Sequence, residues 1–153
     1  MIAIGIDPGT LCGWAVLDAA GACLASGHWD LRPRRHEGGG MRYVRLRRML
    51  SMLLEPWADA DVALCYEEVR HHAGTDAAHI YGGIVAVLQA WCEEAHVPYA
   101  AVPVGTVKKH ATGKGNAGKG EMVAAAVARW GGEPTEDEAD ALWIADAWRV
   151  GLA

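Results

Sequence analysis

The sequence predicts an α/β domain on a mixed five-stranded sheet, an antiparallel meander extended by two parallel strands, with helices on its faces. Two short apolar runs broken by tight turns open the chain. Two further apolar runs then alternate with segments of helical periodicity. The chain has 153 residues, 52% hydrophobic and 22% charged, enough for one buried core and therefore one domain over residues 1–153.

Residues 2–6 (Ile-Ala-Ile-Gly-Ile) read as a buried strand, followed by the turn Asp7-Pro8-Gly9-Thr10 and a second strand over 14–17. A turn at 18–21 leads into a third strand, 23–31, and the polar, glycine-rich stretch 32–40 reads as a loop. Leu46, Leu50, Leu53 and Trp57 recur at helical spacing over 41–55, and Pro56 stops that helix. A strand at 62–66 follows, then a long helix at 75–95 with Ile80, Ile84, Val87, Leu88 and Trp91 as its apolar stripe. A fifth strand at 98–102, a short helix at 104–111, a loop at 113–118 and a helix at 119–130 come next. The last helix opens on Thr135-Glu136-Asp137-Glu138, a capping-box pattern, and runs to about Val150.

The longest nearly apolar run, 84–92, is too short to span a bilayer, and the first residues lack the basic segment of a signal peptide. Cys12, Cys23, Cys65 and Cys92 form no C-x-x-C pair, so neither a zinc site nor a disulfide framework is expected, and a cytoplasmic setting fits. The net charge of −5 hides segregation. All four lysines fall between 108 and 119, seven of ten arginines between 32 and 48, and five carboxylates between 133 and 140. Such blocks either solvate helix faces or set basic surfaces around an acidic pocket.

Asp7 and Glu67 each stand at the end of a predicted strand, and ligand sites in α/β sheets lie beyond the carboxyl ends of parallel strands. Asp137 and Asp140 are three apart, on one helix face. If the strands are parallel neighbours and the last helix covers them, four carboxylates meet. Their repulsion is relieved by divalent metal, and two such ions can cut a phosphodiester while the basic windows hold neighbouring phosphates. Each residue also has a plainer reading, as a turn former, a solvated strand end or a partner of the helix dipole.

Four segments in order, Ile4-Gly5-Ile6-Asp7-Pro8-Gly9-Thr10, Cys65-Tyr66-Glu67-Glu68-Val69, Val107-Lys108-Lys109 with Gly115-Asn116-Ala117-Gly118-Lys119, and Asp137-Glu138-Ala139-Asp140-Ala141-Leu142, resemble those of RuvC-type Holliday junction resolvases. The glycine–lysine loop and the Tyr-Glu-Glu pattern are more similar to bacteriophage-borne members. The resemblance implies a ribonuclease H-like fold, a homodimer, and symmetric nicking of four-way or other branched DNA that leaves 5′-phosphate and 3′-hydroxyl ends. It implies Asp7, Glu67, Asp137 and Asp140 as metal-binding carboxylates for two Mg²⁺ ions, with Mn²⁺ as a substitute, and ranks Glu68 second as pointing to the other strand face. Lys119 is expected to offset charge on the phosphate, with Lys108, Lys109 and Lys114 on the DNA backbone.

One position departs from the family. Three residues after the glutamate, where cellular members carry an aromatic wedge, stands Arg70, so wedging between bases near the crossover either fails or falls to Tyr81, His71 or His72; Arg70 and His72 are expected on the DNA, with a looser sequence preference. Helix 75–95 is the candidate dimer interface, through Gly82-Gly83, Ile80, Ile84 and Trp91, which equally suit the monomer core. Trp29 is the tryptophan expected to lie outside the core. The competing activity is a ribonuclease H-like nuclease acting on RNA or RNA–DNA hybrids, which uses the same carboxylates.

Overall fold

A computed structural model describes residues 1–153. Strands β1 (Ile2–Asp7), β2 (Leu11–Leu17) and β3 (Cys23–Asp30) form the meander. Helix α1 (Met41–Leu54) and a 3₁₀ turn (Glu55–Trp57) lead to β4 (Val62–Glu68), α2 (Thr75–Ala95) and β5 (Tyr99–Pro103). Helices α3 (Val104–Thr112), α4 (Lys119–Trp130) and α5 (Glu136–Arg149) complete the chain. The sheet order is β3-β2-β1-β4-β5, with β1 antiparallel to β2, β2 to β3, and β1, β4 and β5 mutually parallel.

Two strands run further than periodicity predicts. β2 begins at Leu11, because Leu11 pairs with Asp30 across the meander. β4 continues through Glu67 and Glu68, which pair with Val102 and Pro103 of β5. Glu67 is thus a ladder residue and not the first residue of a loop. A partner strand keeps a polar residue extended where its own sequence carries no strand signal.

The two sheet faces pack differently. Under α1 and α2 lies a core of large side chains, among them Ile4, Ile6, Leu46, Leu50, Leu64, Ile84 and Leu88. Trp29 belongs to it: contrary to the expectation of an exposed ring, it is 7% exposed and stacks on Trp14 at a centroid distance of 5.8 Å. Ile84 and Trp91 are also buried within the monomer, and Gly83 lies under the Tyr43 ring, whose hydroxyl a Cβ there would meet at 2.3 Å and push aside. The inward half of the α2 interface prediction therefore falls away, because α1 covers those residues. Gly82, Ala86 and Ala90 remain exposed.

On the opposite face α5 is buried among alanines, Ala139, Ala141, Ala145 and Ala147, against Ala3, Ala15 and Cys65. Small residues let this helix lie directly on the sheet. A Cβ at Gly5 would sit 2.2 Å from the Ala141 carbonyl oxygen, and one at Gly13 would sit 1.9 Å from that of Asp137.

The far end of α5 is tied by Asp146, 1% exposed. Its carboxylate accepts from Arg149 Nη2 at 2.7 Å and Arg129 Nη2 at 3.4 Å, and pairs with His110 Nε2 at 2.8 Å. A buried charge is tolerated when it is paired and hydrogen-bonded, and two of these partners, Arg129 and His110, bind α5 to α4 and α3. No helix is long and apolar enough to cross a membrane.

Gly5→Ala is expected to cost about 1–3 kcal/mol by forcing α5 away from β1. A lowered urea midpoint checks it. An unchanged midpoint would show that the helix shifts freely.

Candidate active site

The turn between β1 and β2 and the ends of β4 and α5 meet around a cavity of about 660 Å³ whose lining includes Asp7, Glu67, Glu136, Asp137, Asp140, Lys108 and Lys119. β1 and β4 are parallel neighbours, with Ile6 opposite Tyr66, so Asp7 and Glu67 are the next residues on adjacent strands. The end of β4 is fixed from α2. The Tyr81 hydroxyl donates to the Glu67 carbonyl at 2.8 Å and accepts from the Val69 N–H at 3.0 Å.

The capping box fixes the start of α5. The Glu138 N–H donates to Thr135 Oγ1 and the Thr135 N–H to Glu138 Oε1, each at 3.2 Å. Glu138 Oε2 also accepts from Ser26 Oγ of β3 at 2.6 Å. Glu138 is thereby spent on structure, while Glu136, Asp137 and Asp140 line the cavity.

Crowding shows in the acidities. Burial, then the charges of Glu67, Asp140 and Asp137, pushes the Asp7 carboxyl well above the usual carboxylate range. Glu67 is also raised by burial, against the pull of Lys108 and Lys119. Asp140 is pushed up to about 7, first by burial and then by the charge of Glu67. Lys119 is raised despite its desolvation by Glu136, whose carboxylate lies 3.5 Å from Nζ, and by Asp137 and Asp140.

These are oxygen donors only, partly buried and short of positive charge, the composition a hard divalent cation selects. Asp7, Glu67, Asp137 and Asp140 would hold it. As the side chains lie, no three His, Cys, Asp or Glu residues stand together closely enough to hold a metal ion between them. An ion that keeps waters and uses few protein ligands requires no such group.

Of the other predicted residues, Glu68 faces away, 3.6 Å from Arg70, and both border a separate cavity over Val69 and Pro103. His72 packs its ring against Tyr81 at 4.8 Å, beside a cavity that shares Pro8, Gly9, Thr10 and Val69 with the carboxylate pocket. Lys109 is exposed on α3, and Lys114 lies 3.5 Å from Glu121; neither lines the carboxylate pocket. The structure adds Glu136, and it ties Tyr81, expected near the crossover, to the β4 backbone. Glu136 stood in the acidic run beside Asp137, but nothing in the sequence ties the Tyr81 hydroxyl to the β4 backbone.

Carboxylates gathered at the carboxyl ends of parallel strands, on a sheet whose first three strands form a meander, define a ribonuclease H-like domain. No family model matches the chain. It is 33% identical over 150 residues to the crossover junction endodeoxyribonuclease RuvC of Anaeromyxobacter sp. (strain Fw109-5), covering 95% of this chain and 71% of that protein. Its fold is similar to T. thermophilus RuvC in complex with a Holliday junction substrate, with a TM-score of 0.83 and 26% identity. A second Thermus thermophilus RuvC structure gives a TM-score of 0.81 and 25% identity, and both matches cover 100% of this chain and 98% of the other. The chain belongs to the RuvC family.

The raised acidity of Asp140 predicts a stability slope. A carboxyl that holds its proton more tightly when folded contributes stability that is full below the unfolded value, about 3.9, and is lost as pH rises toward the folded value of about 7. In divalent-free buffer Asp140→Asn should match the wild type near pH 4 and exceed it at pH 8 by on the order of 2 kcal/mol. Urea titration at both pH values decides it. A variant less stable than wild type at pH 8 contradicts the reading.

Proposed function

We propose that this chain is a Holliday junction resolvase, an endonuclease that nicks opposed strands of four-way DNA in the presence of divalent cation. The observation that carries the site assignment is the single pocket shared by Asp7, Glu67, Asp137, Asp140, Lys108 and Lys119. In this reading the four carboxylates hold Mg²⁺, two ions per site, with Mn²⁺ able to replace it. Held there, divalent cations would supply an activated water and charge stabilisation for displacement at a phosphodiester.

The chain's own residues do the rest. Lys108 and Lys119, on the α3–α4 side of the pocket, draw the scissile phosphate toward the carboxylates and offset the charge that grows on it. Glu136 keeps Lys119 over the opening. Tyr81 holds the β4 end so that Glu67 does not swing away when charge at the pocket changes. Arg70 and His72, on the β4–α2 side, reach DNA strands beside the crossover. A homodimer gives two such pockets related by a twofold axis, one for each of two opposed junction strands. The outward row Gly82, Ala86 and Ala90 of α2 is its candidate contact.

Asp7→Asn should reduce cutting of a labelled synthetic four-way junction by at least about 10²-fold, and EDTA should abolish it, while junction binding persists in both. A hybrid RNA–DNA duplex tested in parallel separates the alternative nuclease. Cutting that survives Asp7→Asn, or that prefers the hybrid, would sink this assignment.

A further inference from the structure

The arginine-rich loop between β3 and α1 has no part in the pocket, yet it is built rather than loose. β3 runs antiparallel to β2 and ends with Asp30 opposite Leu11, so the chain leaves the sheet at the same end as Asp7. The Leu31 N–H donates to the Thr10 carbonyl at 2.8 Å, and Thr10 lines the carboxylate pocket. A tight turn follows. The Glu37 N–H donates to the Arg34 carbonyl at 3.0 Å, and the Arg34 N–H donates to Glu37 Oε1 at 2.6 Å.

Arg45 of α1 closes on the Glu37 carboxylate, the two side chains being 16% and 23% exposed. His36, inside the turn, takes φ of 70°, a left-handed conformation uncommon outside glycine. Such a conformation persists only where surrounding contacts over-determine it, and Glu37 supplies them.

The bookkeeping of charge is one-sided. Asp30 is paired with Arg32 and Glu37 with Arg45. Arg34, Arg35 and His36 are exposed and make no ion pair, although the Arg34 charge adds to the hydrogen bond and charge of Arg45 in holding the Glu37 carboxyl below its usual range. Both nearby anions are thus consumed in holding the turn, and what it shows to solvent is cationic. The turn follows β3, at one edge of the sheet, whereas α3, with Lys108, follows β5 at the other edge. Two strand spacings, about 10 Å, separate β3 from β1, roughly three nucleotides along a duplex strand at about 3.4 Å each.

We infer that the Arg34–Glu37 turn is a second phosphate-binding element, gripping the sugar–phosphate backbone of a DNA arm on the side of the pocket away from the lysines. It deepens the nuclease reading and rests on it for the identity of the ligand. Glu37 is a positioning residue: it touches no phosphate and presents Arg34 and Arg35.

The test is equilibrium binding of the full chain to a labelled four-way junction and to plain duplex, in EDTA so that nothing is cut, across a salt series. Arg34→Ala/Arg35→Ala should make the slope of log K against log salt shallower by about 2 on both DNAs, since each phosphate contact contributes about 0.9. Glu37→Gln separates a built turn from diffuse charge. Losing an anion should tighten binding if the arginines act only as charge. If the turn must be held, Glu37→Gln instead weakens binding several-fold.

Tighter binding by Glu37→Gln, or an unchanged slope in the double arginine variant, overturns the inference. Should Lys108→Ala/Lys119→Ala weaken binding while the arginine variants do not, the nuclease reading stands and this one fails. If the wild type shows no preference for the junction over duplex, the junction assignment fails. The slope on duplex still decides the fate of the turn, because phosphate contacts carry no sequence or branch information.

Discussion

The contact of α5 with β1 and β2 is the constraint on which the rest depends. Asp137 and Asp140 ride on this helix, while Asp7 and Glu67 are fixed by the sheet, so the carboxylates meet only if helix and sheet lie almost in backbone contact. Gly5 and Gly13 permit that approach, since a Cβ at either would penetrate the α5 backbone. The alanines of α5 continue it. Mutual repulsion at the acidic end works to lift the helix, and the Asp146 node at the other end, with His110, Arg129 and Arg149, holds it down. A small-residue interface and a buried ion cluster thus carry the electrostatic load of the pocket.

That load is visible in the acidities. Asp7, Glu67 and Asp140 are all harder to ionise than free carboxyls, with burial as the leading cause in each case. A protein selected only for stability would place amides or apolar groups there. Keeping carboxylates is costly in the absence of counter-charge and favourable when a divalent cation arrives. If these carboxylates bind the cation as proposed, its affinity and the folding stability draw on the same groups. The lysines of α3 and α4 offset only part of the repulsion.

Much of the fold was legible because local rules and tertiary packing agree. α2 and α4 have their expected bounds, and α5 its expected Thr135 cap. Strand ends were less legible. β4 reaches Glu67 and Glu68 through its ladder with β5, a pairing invisible to a reading along the chain. Trp29 was expected outside the core; Trp14 across the β2–β3 pair and the α1 face enclose it. Gly83 suggested close approach of a second subunit, but what lies against it here is Tyr43 of the same chain.

The sequence by itself determined where the candidate residues stand: which carboxylates lie near strand ends, which pair shares a helix face, and where the cationic side chains are concentrated. Those features depend on neighbours within a few residues, where periodicity, capping and turn chemistry act. The tertiary structure decided which of the neighbouring acids do which work. Glu138 caps and staples, Glu136 tethers Lys119, and Glu68 turns to Arg70. It also decided that Tyr81 secures β4 and that Glu37 holds an arginine turn at the far edge of the sheet. Each of those assignments is a contact of a few ångströms between side chains or backbone groups, and in most cases between different elements. Sequence spacing does not encode such distances until the sheet order and helix placement are set.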